Sequence, residues 1–138
     1  MASNRIWRDK DKKNIVILDS SAIMMLFEFS IDLENELTRL LGTYHIVIPH
    51  LVTRELEILS KHGQGKKRLK AKAALKLIEK YEIVEIDEEK EDVDRAVLRL
   101  AKKLQAKVAT NDKQLRKELK KASLQVIFLR GKKKLVLE

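Results

Sequence analysis

A chain of 138 residues, 44% hydrophobic and 37% charged, is long enough for one domain with its own core. The absence of cysteine excludes disulfides, thiolate metal sites and thiol nucleophiles, and no apolar run approaches the ~20 residues that span a bilayer. A net charge of +9 directs attention to an anionic partner, while few aromatics, one proline and four glycines favour a helix-rich fold over a sandwich.

Residues 1–13 carry Arg5, Arg8, Lys10, Lys12 and Lys13 around Ile6 and Trp7, and read as a basic arm outside the domain. They have no apolar leader segment, so a cytoplasmic location with no membrane partner is expected. The apolar run Ile15-Val16-Ile17-Leu18 is a buried strand stopped by Asp19, and a helix follows from Ser20, Ser21 and Ala22. Leu33, Leu37, Leu40 and Leu41 recur at helical spacing, and Gly42 closes that helix. His45 to Ile48 is a second strand; Pro49 ends it and suits the start of a helix over Leu51 to Ser60. Lys61 to Lys70 holds two glycines and a basic cluster and reads as a loop, before an Ala/Leu/Lys-rich helix running to about Lys80.

Ile83 to Ile86 is a third strand, and the acidic stretch Asp87 to Asp92 suits a helix start. Val93, Ala96, Val97, Leu100, Ala101 and Leu104 mark an amphipathic helix. Ala106 to Ala109 is a fourth strand, Lys113 to Lys121 a helix and Gln125 to Leu129 a fifth strand; residues 131–138 read as a basic and apolar tail. Strands alternating with helices specify an α/β domain over residues 14–130, with a mainly parallel sheet covered on both faces. No glycine-rich phosphate loop follows any strand, and the spacing in His62-Gly63-Gln64-Gly65-Lys66-Lys67 is wrong for a P-loop, which counts against nucleotide binding.

Four carboxylates are placed unlike the rest. Asp19 ends the first strand and is either a helix cap or one wall of a site, since Ser20 or Ser21 can cap instead. Glu55 shares a helical face with Leu51, Val52, Ile58 and Leu59, where an unpaired charge is costly. Asp94 lies at the edge of the most apolar helical face in the chain. Asp112 follows the fourth strand, where Asn111 and Gln114 can form a capping pair that leaves it unengaged. In a parallel sheet the strand ends share one edge, so Asp19 and Asp112 meet there and Glu55 and Asp94 reach it from helices. Clustered carboxylates repel unless cations neutralise them, and an all-oxygen donor set suits Mg²⁺ or Mn²⁺. Such ions lower the pKa of a water and stabilise charge developing on a phosphodiester. Lys66, Lys67, Arg68, Lys132, Lys133 and Lys134 are candidates to hold a polyanionic substrate.

With these residues in view, the sequence resembles the PIN-domain family of metal-dependent ribonucleases over roughly Asn14 to Leu129. The family's opening motif is similar to ILDSSA with Asp19, and its later acids to VTRELEIL with Glu55, DRAVLRLA with Asp94 and VATNDKQL with Asp112. The resemblance implies a three-layer α/β/α sandwich, Mg²⁺ or Mn²⁺ on the four acids, assistance from Thr110 or Asn111, and endoribonuclease activity. It also implies RNA and a second copy of the chain as partners. VATNDKQLRKELKK and the basic carboxyl end resemble the branch that processes small-subunit ribosomal RNA precursors in ribosome biogenesis. The alternatives are a toxin ribonuclease held by an antitoxin, and a non-catalytic RNA-binding module on the same fold.

Overall fold

The computed structural model of the protein describes residues 14–85 and 92–138. The expected basic arm of residues 1–13, residue 86 at the expected end of the third strand and residues 87–91 of the acidic stretch lie outside these. In chain order the elements are β1 (Ile15–Leu18), α1 (Ser20–Glu28), α2 (Leu33–Leu41), β2 (His45–Pro49), α3 (His50–His62), α4 (Lys66–Ile78), β3 (Glu82–Val84), α5 (Val93–Leu104), β4 (Lys107–Ala109), α6 (Lys113–Lys121), β5 (Val126–Arg130) and β6 (Lys134–Leu137).

The strands form one sheet in the order β3-β2-β1-β4-β5-β6. The first five are parallel, in a register that sets Ile17 opposite Val47 and Val108, and Ala109 opposite Ile127. β6 runs antiparallel to β5. The chain steps outward from β1 through β2 to β3, then crosses back to β4 and β5. Right-handed crossovers put α1–α4 on one face of the sheet and α5–α6 on the other, which is a three-layer α/β/α fold. Burial accounts for the apolar runs. All four residues of β1 are buried, as a central parallel strand covered on both faces requires. Val47, Ile48, Val108 and Ile127 join them from the sheet, with Leu37, Val52, Leu56, Val97, Leu115 and Leu119 from the helices.

Two expectations are corrected. The segment Lys61 to Lys70 is not one loop: α3 continues to His62, and α4 begins at Lys66, just after Gly65. Lys66, Lys67 and Arg68 therefore stand on a helical first turn. Nor are residues 131–138 a tail, because they return as β6. The turn between β5 and β6 is built for this, with Gly131 and Lys132 both at positive φ (65° and 62°) and the Lys133 N–H donating to Arg130 O at 3.4 Å. Turns of that hand match the twist of paired strands.

The outer side of β6 is an edge, and α2 covers part of it. The Leu135 N–H donates to Glu36 Oε1 at 2.8 Å, and Arg39 Nη2 donates to Leu135 O at 2.7 Å and to Glu36 Oε1 at 2.9 Å. The Arg39 guanidinium and the Leu135 amide hold the Glu36 carboxyl below the usual carboxylate range. Glu36→Ala leaves the Leu135 amide without this acceptor, and we expect a loss of about 1–2 kcal/mol, read as a lower urea midpoint with an unchanged slope.

Candidate active site

The reversal of the chain's path between β1 and β4 opens the carboxyl edge of the sheet at its centre, where ligands settle in open α/β folds. The ladder continues past both strands: the Asp19 N–H donates to Ala109 O and the Thr110 N–H to Ile127 O, each at 3.0 Å. Asp19 and Thr110 are therefore fixed by backbone before their side chains do anything. Both are buried, at 3% and 0% exposure.

Asp19 occupies the N-cap position of α1, but its side chain makes no capping bond. Instead Oδ2 accepts from Ser21 Oγ and Thr110 Oγ1, each at 2.8 Å. The two hydroxyl oxygens lie 3.2 Å apart. Each has one proton, and both protons are directed at Asp19. Their lone pairs are then left to accept, Ser21 Oγ from the Asn111 N–H at 3.2 Å and Thr110 Oγ1 from the Asp112 N–H at 3.1 Å. The arrangement uses Asp19 Oδ2 as a double acceptor and ties it to the start of α6. Ser20 Oγ donates to Glu55 Oε1 across to α3. Glu55 is half-buried between the buried residues Val52 and Leu56.

Neither serine therefore caps α1, contrary to the sequence expectation; each holds a carboxylate. At α6 the capping roles also differ. Asp112 is itself the N-cap, with Oδ1 accepting from the Gln114 and Leu115 amides at 2.9 and 3.1 Å. Asn111 forms no pair with Gln114; its Oδ1 accepts from the Leu129 N–H at 3.1 Å and braces β5. Ser20 and Ser21 are the site residues missed from sequence. The available signal was two consecutive hydroxyls behind a strand-ending aspartate, more than one N-cap seat needs.

Asp94 lies on the first turn of α5, behind the Asp92 cap, whose Oδ1 accepts from the Arg95 N–H at 2.8 Å. Its carboxyl is pushed up to about 6, first by partial burial and then by the charges of Asp112, Asp19, Asp92 and Glu55. The charges of the other three candidate acids are thus felt at Asp94. Among the described residues they do not stand as a closed ligand shell. Asp19 Oδ2, Glu55 Oε1 and Asp112 Oδ1 are engaged by protein donors, while the second oxygen of each takes no part in those bonds. Hard oxygen donors that repel one another across a polar edge fit a divalent cation, which would relieve the repulsion that raises Asp94.

Because β5 is parallel to β1 and β4, the turn carrying Lys132 and Lys133 projects from the same edge as Asp19. Lys132 Nζ lies 5.7 Å from the centroid of Phe29 at the end of α1, and all three lysines from Lys132 to Lys134 are exposed. Lys66, Lys67 and Arg68 are exposed as well, on the first turn of α4.

A six-stranded, mainly parallel sheet between two helical layers, with Asp19 and Asp112 following β1 and β4, defines the class of fold. The chain belongs to the PIN-like domain family, whose model matches residues 16–132. It is 30% identical to Ribonuclease VapC9 of Archaeoglobus fulgidus over 128 residues, 93% of this chain and 92% of that protein. Ribonuclease VapC4 of Methanocaldococcus jannaschii is 34% identical over 122 residues, 86% of this chain and 92% of that protein. Among solved structures, the PIN domain endonuclease Utp24 superposes with a TM-score of 0.77 at 23% identity, covering 92% of each chain. A domain of a functionally unknown protein from Methanocaldococcus jannaschii superposes at 0.62 with 21% identity, covering 86% of this chain and 92% of that one. These two establish likeness of fold. No helix among the described residues is long and apolar enough to cross a membrane.

Proposed function

We propose that this protein is a metal-dependent endoribonuclease that hydrolyses RNA phosphodiester bonds at the edge formed by Asp19, Glu55, Asp94 and Asp112. The observation that supports the reading most is the Thr110 hydroxyl, which joins Asp19 to the amide of Asp112 at adjacent strand ends, within reach of an Asp94 carboxyl raised by burial and by their charges. Two relatives named as ribonucleases support it. Mg²⁺ or Mn²⁺ bound there would supply an acidified water and neutralise charge developing on the phosphodiester. The protein's own part is positional. Ser21 and Thr110 set the Asp19 carboxylate, Ser20 sets Glu55, and the first amides of α6 set Asp112. Asp94, near 6, is the acid best placed to take up a proton near neutrality. Lys132 and Lys133 at the same edge, with Lys134, and Lys66, Lys67 and Arg68 on α4, serve as phosphate contacts.

A structured RNA should be cut internally in Mn²⁺ or Mg²⁺ and left intact in EDTA. Binding without cleavage across titrations of both ions would leave a non-catalytic RNA-binding module instead. The biological role divides into two branches. In the first, the substrate is a small-subunit ribosomal RNA precursor, a reading supported by the VATNDKQLRKELKK segment and the basic end. In the second the chain is a toxin paired with an antitoxin, which the VapC relatives support. Crosslinking in cells that enriches ribosomal precursors selects the first; growth arrest on expression, relieved by a product encoded just upstream, selects the second.

A further inference from the structure

The charge of this chain is divided unequally between the two halves of its sheet. Residues 14–85 hold ten Lys or Arg and ten Asp or Glu, whereas residues 92–138 hold fourteen and five, a net +9 that equals the charge of the whole chain. Of those five acids, Asp92, Asp94 and Asp112 stand at the starts of α5 and α6 on the candidate-site edge, Glu138 is engaged by Lys120 and by Arg116 at 3.8 Å, and Glu118, partly buried on α6, is the one acid left within the two helices beyond their first turns. What faces outward from the α5–α6 layer is almost wholly cationic.

The cations are also regularly placed. On α5 they recur at i, i+4, i+7 and i+8 from Arg95, and on α6 at the same intervals from Lys113, all of them exposed. That spacing puts each set on one helical face, opposite the buried residues Ala96, Val97, Leu100 and Ala101 of α5 and Leu115 and Leu119 of α6. Both helices return from the carboxyl edge on the same side of the sheet, so the two stripes run side by side. Each begins one residue after a candidate site acid, Arg95 after Asp94 and Lys113 after Asp112, and leads about 12 Å away from it.

Like charges at i, i+4 weaken a helix, and a surface that only solubilises intersperses both signs. The other layer does so, with Lys70 beside Glu28 at 3.3 Å and Lys80 beside Glu34 at 2.9 Å. A one-sign face concentrates polyanions. Its composition selects among them. The large hydrophobics most exposed in the described residues, Ile58, Leu69 and Ile83, lie on α3, α4 and β3, so the basic face offers nothing to insert into a bilayer interface. Phe128, the one aromatic residue in 92–138, is buried beneath Arg116, so it offers no platform on which bases can stack.

We propose that the α5–α6 face is a second RNA-binding surface, outside the cleavage edge, that holds backbone phosphates flanking the scissile position without reading sequence. The word flanking rests on the nuclease reading above; the binding does not. The test compares two triple variants of the full chain on an Asp19→Asn background in EDTA. One carries Lys103→Gln, Lys117→Gln and Lys121→Gln; the other removes the same charge from the balanced half with Lys61→Gln, Lys72→Gln and Lys76→Gln. Affinity for a roughly 20-nucleotide RNA hairpin should fall about tenfold or more in the first, with the slope of log affinity against log salt reduced by about 2, and by about twofold or less in the second. Exchanging the hairpin sequence should change neither result. Equal losses in the two triples, or no loss in the first, overturn the proposal. So does equally tight binding of polyglutamate or phosphatidylserine vesicles that the same three substitutions abolish. Absence of cleavage by the wild type, with these affinities as expected, removes the nuclease reading and leaves the surface standing.

Discussion

Asp19→Asn is expected to lower RNA cleavage by about 10²–10³-fold or more, the scale lost when one preorganised charge-stabilising group is removed, while the protein stays folded. The substitution is nearly isosteric at a position buried to 3% exposure, and the hydroxyls of Ser21 and Thr110 can rotate to donate to the amide oxygen as they do to the carboxylate. What disappears is the negative charge and with it the hard ligand. Cleavage of a structured RNA in Mn²⁺, measured beside the thermal midpoint, separates the two effects. Full activity in the variant would remove Asp19 from the site.

Thr110 provides a graded companion to that experiment. Thr110→Val keeps the shape but deletes one of the two donors to Asp19 and the acceptor of the Asp112 amide. A cost of about 1–3 kcal/mol in stability follows from the stranded buried groups. A 10–100-fold loss of activity follows from a loosened ligand, the range seen when outer partners of metal ligands are removed. Thr110→Ser restores the hydroxyl and should recover most of the activity. A Val variant as unstable as expected yet fully active would make Thr110 a purely structural residue.

The parts of the molecule that sequence displays are those whose cause is local. β1 reads as a central strand because four consecutive apolar residues must be covered on both faces. α5 reads as a helix because its apolar residues repeat at 3.6, and Asp92 caps it where an acid is expected. The misread parts depend on partners far away in the chain. Lys132 to Lys134 look like a solvated tail until Glu36 and Arg39, nearly a hundred residues earlier, are seen to bracket Leu135. α4 gives no start signal, because Gly65 supplies no capping side chain and its first turn holds no acid. Ser20 and Ser21 are chemically able to cap a helix, and only the positions of Glu55 and Thr110, 35 and 89 residues on, decide that they do not. Of the four candidate acids, Glu55 stands out in the sequence because it interrupts an apolar helical face. Asp94 in a first turn and Asp112 at an N-cap sit where an acid is locally expected, and only the strand order that brings Thr110 beside Asp19 relates Asp112 to Asp19.

Asp94→Asn should make the metal-free protein more stable at about pH 7 while it removes cleavage. The folded carboxyl titrates at about 6 against an ordinary value of 3.8. Between those values the native state keeps a proton that the unfolded chain has released, so the stability of the metal-free wild type falls as pH rises from about 4 to about 6 and is lowest above that window. The full shift corresponds to about 3 kcal/mol, and because Asp94 is only half-buried we expect screening to leave about 1 kcal/mol, or roughly 3–4 °C in the thermal midpoint. The Asn variant neither titrates nor repels Asp112, Asp19 and Glu55, so its stability between about pH 4 and pH 6 should lack this slope. Added Mn²⁺ should reverse the ranking: it stabilises the wild type by mass action and favours the ionised form of Asp94, whereas the variant, one carboxylate short, gains less. Thermal midpoints of both proteins across that pH range, with EDTA and with Mn²⁺, make the comparison without any RNA present. Coincident pH profiles in EDTA would show that the acids do not share a field, and an equal response to Mn²⁺ would take Asp94 out of the ligand set.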